Sequence, residues 1–326
     1  MSAFELVQTN LLSPVVLAFV LGILATALRS DLRFPDELYQ ALAIYLLLAI
    51  GLKGGAALAV TPLGQFWAPA LATLAIGCAI PVWSYAIGRR VGRMGVADAA
   101  AIAAHYGSVS MVTFIAALSF MQVVGVPVEG FLPTLVALLE VPAIVIALVI
   151  ARTRAAETPG KLGEVIHEVL AGKSILLLVG GLAIGAASGE AGLAKVAPFF
   201  VDPFQGALTL FLLEMGMVAA RRFRDLRTAG VFLLSFAVVM PVVHGALGVF
   251  LGQLAGLSMG GATVLGVMSA SASYIAAPAA VRIALPEANP GYYLTAALAV
   301  TFPFNLTVGI PLYYAIARWL YAGVAP

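Results

Sequence analysis

Two stretches of the chain gather hydroxyl and small side chains inside apolar surroundings: His105-Tyr106-Gly107-Ser108-Val109-Ser110-Met111-Val112-Thr113, and Met268-Ser269-Ala270-Ser271-Ala272-Ser273-Tyr274-Ile275-Ala276-Ala277-Pro278. A helix that begins inside such a stretch presents orphan N–H donors and about half a positive charge at its first turn. It can hold an oxyanion without a lysine or arginine, and no cationic residue lies deep in any apolar segment. Ser108, Val109, Ser110, Thr113, Ser269, Ala270, Ser271 and Ser273 are therefore the candidate substrate-binding positions, for a small anion. For any one of these serines close helix packing is the simpler explanation, since small residues serve that purpose between membrane helices. Two matching clusters favour a site.

Acids inside apolar segments are costly and tend to mark ion pathways. Glu140 precedes Pro142, and Thr301 and Asn305 flank Pro303 at the matching place later in the chain. Carboxylate, hydroxyl and amide oxygens are the hard donors a sodium ion prefers, so Glu140, Thr301 and Asn305 form the candidate cation site. Glu214 has no counterpart acid, and both a structural, hydrogen-bonded role and a proton site stay open for it. His105 and His244 are expected to be paired core histidines, and His167 a linker residue; three isolated histidines do not make a metal site. Cys78, the sole cysteine, is expected in the core. Serine, histidine and acid are all present, but no nucleophile elbow accompanies them, so an enzyme is not expected.

The elements that would carry these residues are set by composition. Of 326 residues, 62% are hydrophobic and 10% charged, far outside the range of soluble domains. Apolar segments span roughly 13–28, 39–58, 66–88, 97–121, 131–151, 173–188, 204–220, 229–254, 260–285 and 291–320. Backbone groups in lipid must be paired internally, so each segment reads as a helix, and the first is taken as a retained membrane helix rather than a cleaved signal. With the N-terminus outside, the inner loops hold Arg29, Arg33, Arg89, Arg90, Arg93, Arg152, Arg154, Lys161, Lys173, Arg221, Arg222, Arg224, Arg227 and Arg282; only Lys53, Lys195 and Arg318 fall outside. Retention of basic residues on the cytoplasmic side then predicts both termini outside. The polar stretch 152–172 separates 1–151 from 173–326, and 163–170 alternates like an amphipathic surface helix. The expected location is the bacterial inner membrane, with the lipid bilayer as partner and no nucleic acid.

The two halves echo one another. Tyr39-Gln40, Leu47-Leu48 and Gly51-Leu52 match Phe204-Gln205, Leu212-Leu213 and Gly216-Met217; Thr113 to Ala117 matches Ser273 to Ala277; Glu140-Val141-Pro142 stands opposite Thr301-Phe302-Pro303; Val20-Leu21-Gly22 aligns with Val179-Gly180-Gly181. Five helices is an odd number, so a second copy enters the membrane the other way up. An all-α membrane protein of ten helices arranged as a 5+5 inverted repeat is the architecture of secondary transporters; a channel, sensor or scaffold built on the same duplication is the competing reading.

Gly51-Leu52-Lys53-Gly54-Gly55, Leu213-Glu214-Met215-Gly216-Met217, Val243-His244-Gly245 and Pro286-Glu287-Ala288-Asn289-Pro290 resemble the sodium-dependent bicarbonate transporter family known from cyanobacteria, over nearly the whole chain. The resemblance implies a gate domain (helices one, two, six and seven), a core domain (the rest), sodium as coupling ion, bicarbonate as substrate, a homotrimer, and a PII-like regulatory protein on the cytoplasmic side. The family's Ser-Gly-Ser-Thr in the fourth helix stands here as Ser110-Met111-Val112-Thr113, and its Ser-Ser-Ser-Asp in the ninth as Ser271-Ala272-Ser273-Tyr274. Another small anion, such as a carboxylate, remains the alternative substrate.

Overall fold

The computed structural model describes residues 3–154 and 170–323, together with Gly163 and His167. The linker expected at 152–172 therefore lies mostly outside the described residues, as does the amphipathic helix expected within it. The described residues form helices and no strand. In chain order these are α1 (Ala3–Leu11), α2 (Pro14–Ala27), α3 (Asp36–Val60), α4 (Leu63–Arg90), α5 (Val96–Gly107), α6 (Met111–Val123) and α7 (Leu132–Arg154). Then follow α8 (Lys173–Phe200), α9 (Phe204–Arg222), α10 (Leu226–Leu254), α11 (Met259–Ala270), α12 (Ala276–Ala284) and α13 (Pro290–Ala322).

Among the described residues, seven units are long and apolar enough to cross a membrane: α3, α4, α5 with α6, α7, α8, Ala229–Leu254 of α10, and α13. Of the ten crossings expected, three are not among them. The helix α2 has 14 residues, α9 carries Glu214, Arg221 and Arg222 within its 19, and the ninth segment is split into α11 and α12. The chain is a multi-pass membrane protein whose apolar surface faces outward as well as inward. Cys78 is exposed on α4 and not in the core, because an apolar run in such a protein has a lipid side.

Two kinds of packing divide the helices. Along α2·α9 and α3·α8 the backbones themselves touch. A Cβ added to Gly22 would stand 2.0 Å from the Leu213 carbonyl oxygen, and one on Gly216 2.0 Å from that of Phe19. Equivalent additions at Gly51 and Gly181 would meet one another's Cα at 2.8 and 2.9 Å. Only glycine permits this approach. The second group packs α4 on α5 and α7, and α10 on α11 and α13. Its centre is the α5–α6 unit, 94% buried over its most apolar stretch, against 28% for α8. Continuous alanine from Ala99 to Ala101, with Ala103 and Ala104, lets neighbours close on α5 until each is 0% exposed.

Prolines shape the rest. Pro311 lacks the N–H that would bond the carbonyl of residue 307, and Asn10 of α1 supplies the substitute, its Nδ2 donating to Leu306 O at 2.7 Å and Thr307 O at 3.2 Å. Around Pro303, α13 widens into π-helical turns at Thr295–Thr301 and Asn305–Gly309, a form of helix found mostly at functional positions.

Candidate functional site

Both hydroxyl-rich stretches interrupt a helix. After α5 ends at Gly107 the backbone turns extended at Ser108 (φ −88°, ψ 172°) and Ser110 (φ −90°, ψ 112°), and α6 begins at Met111. Ser110 caps that start, its Oγ accepting from the Thr113 amide at 3.2 Å and from the Thr113 hydroxyl at 2.9 Å. After α11 ends at Ala270 the chain is extended at Ser271 (φ −82°, ψ 164°), and α12 starts at Ala276 with Ser273 Oγ accepting from the Ala277 amide at 3.2 Å. A serine or threonine outside a helix saturates an amide that the helix cannot, which is why these residues stop one helix and start the next.

The two breaks cross. The Ser110 amide donates to Ser271 Oγ at 2.8 Å, and the Ser273 amide donates to the His105 carbonyl at 2.8 Å. Ser271 Oγ in turn donates to Met268 O at 2.7 Å. Ser108, Val109, Ser110, Thr113, Ser271 and Ser273 are thus brought together, each at most 4% exposed. Ala270 is the last residue of α11 and fully buried. Ser269 turns back on its own helix, donating to Leu265 O at 2.8 Å, and faces the closely packed Gly248. Ser108 Oγ has no partner among the described residues.

At the crossing lies a cavity of about 10 Å³, lined by Val109, Ser110, Met111, Glu140, Ser174, Ser273, Tyr274 and Ile275. That is room for roughly one water molecule. Glu140, on α7 and 3% exposed, lines this cavity, and its Oε2 has no partner among the described residues. Ser174, from the first turn of α8, was not foreseen, and nothing in the sequence near Lys173 marks it.

Thr301 and Asn305 are placed differently from Glu140. Pro241 leaves the Ala237 carbonyl of α10 without its helical donor, and the Thr301 hydroxyl donates to that carbonyl at 2.7 Å while it pairs with Tyr106 OH at 2.7 Å. Asn305 Nδ2 donates at 2.9 Å to the carbonyl of Ala270, at the end of α11, and its Oδ1 accepts from Tyr313 OH at 3.0 Å. Both side chains therefore satisfy backbone groups around the breaks. Each histidine in the apolar interior has one nitrogen engaged: His105 Nδ1 with Ala101 O at 2.6 Å, His244 Nε2 accepting from Trp83 Nε1 at 2.8 Å. Glu214, on α9, is ion-paired with Arg221 at 2.9 Å.

A second, larger chamber of about 450 Å³ lies between α3, α8 and α9 on one side and α6 and the start of α7 on the other. Lys53 enters it over the Phe204 ring, 5.8 Å from the centroid. Gln205 of α9 spans it, accepting from the Ser119 hydroxyl at 3.0 Å and donating to Gln122 Oε1 at 2.9 Å, both on α6. The sequence had singled out Gln205 only as a repeat marker.

Among curated proteins none matches the chain. The profile of one protein family, described as the Na+-dependent bicarbonate transporter superfamily, matches residues 14–318. That span runs from the first turn of α2 into the last turns of α13 and takes in both helix breaks, Glu140 and the glycine contacts. The chain belongs to the Na+-dependent bicarbonate transporter superfamily.

Proposed function

We propose that the protein imports bicarbonate by alternating access, coupled to sodium, with the anion held at the crossed helix breaks. The observation that carries this reading is the crossing itself. Two helix starts, those of α6 and α12, converge on one buried point, so two half-charges face a single small solute. Ser108, Ser110, Thr113, Ser271 and Ser273 supply hydroxyls; Val109, Ala270 and Ser269 shape the backbone behind them. The cavity holds about one water molecule, too little for bicarbonate, so the breaks must part when the solute enters.

Glu140 is the proposed cation ligand. Its unpartnered oxygen and the hydroxyls of Ser110, Ser174 and Ser273 border the same water-sized cavity, and hard oxygens around a space of that size suit sodium. The cation would also offset the carboxylate beside an anion. Thr301 and Asn305 join the cation only by leaving their present partners, and in the meantime hold the breaks in shape. The backbone-locked set α2, α3, α8 and α9 serves as gate and the remainder as core. The pairing of Gly22 with Gly216 and of Gly51 with Gly181 supports a 5+5 inverted repeat, since Gly22 corresponds to Gly181 and Gly216 to Gly51, so each contact is the counterpart of the other. Outward-facing termini, a bacterial inner membrane and a homotrimer complete the proposal, as does a PII-like regulator, on the strength of the family resemblance. The chamber holding Lys53 is then the outer approach.

Uptake of labelled bicarbonate into proteoliposomes is expected to require an inward sodium gradient. Uptake that ignores sodium removes the coupling. A small carboxylate carried in place of bicarbonate promotes the second reading, which Met111, Ile275 and Tyr274 beside the cavity favour because they offer contact to an apolar tail.

A further inference from the structure

At the C-terminal end of α2 two cavities meet, about 290 and 450 Å³ in volume. The first is lined by Arg29, Arg33 and Arg221, the second by Arg29, Arg221 and Arg224, and no carboxylate among the described residues lines either one. Acids are near: Arg221 pairs with Glu214, Arg222 with Asp225 at 3.5 Å, and Asp31, Asp36 and Glu37 follow in the chain. Arg29, Arg33 and Arg224 are nonetheless without an ion pair among the described residues, and all three are exposed.

The backbone singles out Arg29. It follows α2 as the closing residue of a Schellman turn, with its own amide on Thr26 O at 3.1 Å and that of Ser30 on Ala25 O at 2.9 Å. Its φ is +57°, where glycine is the favoured residue. The only other non-glycine residue at positive φ among the described residues is Arg93. A cation anywhere in the last turn would satisfy the helix dipole, so an arginine in a glycine position points to a need for the guanidinium at that spot. Immediately above, Leu17, Leu21, Leu24 and Leu28 line one exposed face of α2, with Leu28 79% exposed. An apolar stripe ending in a basic, acid-free pocket matches a molecule with an acyl chain and an anionic phosphate head.

We propose that these two cavities bind the headgroup of an anionic phospholipid, with its acyl chain along the leucine face of α2. Arg29 and Arg33 take the phosphate on one side, and Arg224 closes the other. This rests on the membrane assignment and on no particular transported solute.

The test uses the full chain, purified in detergent and supplied with phosphatidylglycerol, phosphatidylcholine or inorganic phosphate, read by native mass spectrometry and by Tm. Phosphatidylglycerol is expected to be retained and to raise Tm over phosphatidylcholine. Retention should weaken roughly fivefold for each arginine lost. Arg29→Gly is the sharp variant because glycine suits the backbone: it should keep or raise Tm in phosphatidylcholine while losing the phosphatidylglycerol effect, and Arg33→Gln should act likewise. Equal retention of the two lipids overturns the proposal, as does undiminished phosphatidylglycerol binding in both variants. A rise in Tm with inorganic phosphate equal to that with phosphatidylglycerol assigns the pocket to a soluble anion and overturns the lipid.

Discussion

Replacing Ser271 by alanine removes one oxygen and breaks two bonds. Ser271 Oγ is the acceptor for the Ser110 amide at 2.8 Å and a donor to Met268 O at 2.7 Å, and Ser271 is 0% exposed. The Ser110 N–H would be left buried without a partner, at about 1–3 kcal/mol, and the second bond adds about 1 kcal/mol. The volume lost is a single hydroxyl, so little cavity cost is added. A total of about 2–4 kcal/mol corresponds to roughly 30- to 1000-fold in the population of the crossed state. Ser110→Ala is the internal control. The Ser110 backbone amide survives that change and still reaches Ser271, so what is lost is the cap on α6 and the acceptor for the Thr113 hydroxyl, at about 1 kcal/mol each. Thermal unfolding in detergent should therefore rank Ser271→Ala below Ser110→Ala, because only the first leaves the Ser110 amide unpaired. Equal Tm for the two variants would refute the claim that the inter-break bond holds the site together.

Other expectations follow from the same geometry. Glu140→Gln keeps the shape but removes the formal charge beside the small cavity, so the sodium concentration giving half-maximal uptake should rise about tenfold with the fold intact; an unchanged sodium dependence argues against Glu140 as ligand. Gly181→Ala should impair assembly, since its Cβ would meet Gly51 Cα at 2.9 Å, whereas Gly180→Ala, with no atom within 4 Å, should be neutral or stabilise by about 0.5–1 kcal/mol; expression and Tm compare the neighbours. Gln205→Ala severs both bonds from α9 to α6. It should shift the protein away from the conformation described here, detectable as altered reagent access to a cysteine placed at Leu118; unaltered access makes that bridge incidental.

The helix breaks were legible because serine and glycine clusters are local signals: a capping hydroxyl acts within three residues, as Ser110 does on Thr113. Proline partnerships were not. Pro241 announces a freed carbonyl, but that its donor is Thr301, 60 positions on, depends on how α10 and α13 meet. Thr301 and Asn305 thus looked like ion ligands when read beside Pro303, and their bonds to backbone carbonyls emerge only in three dimensions. The helix α1 escaped notice because donation from Asn10 to the carbonyls behind Pro311 leaves no periodic trace. Ser174 and the bridging role of Gln205 were invisible for the same reason. Cys78 shows the reverse error, in which apolar surroundings in sequence suggested a core and the lipid side was the outcome.

The glycine seams between α2 and α9 and between α3 and α8 have a mechanical consequence. Side chains that interdigitate can change rotamer and let two helices slip, but a seam in which one backbone rests on another has nothing to rearrange. Gly55 and Gly185 extend it, each with a carbonyl oxygen 2.0 to 2.1 Å from where a methyl would sit. Each of these two helix pairs behaves as a keyed joint, stiff against shear along its length, so the displacement that the proposed alternating access requires falls to surfaces lined by flexible side chains, such as that where α6 faces α9.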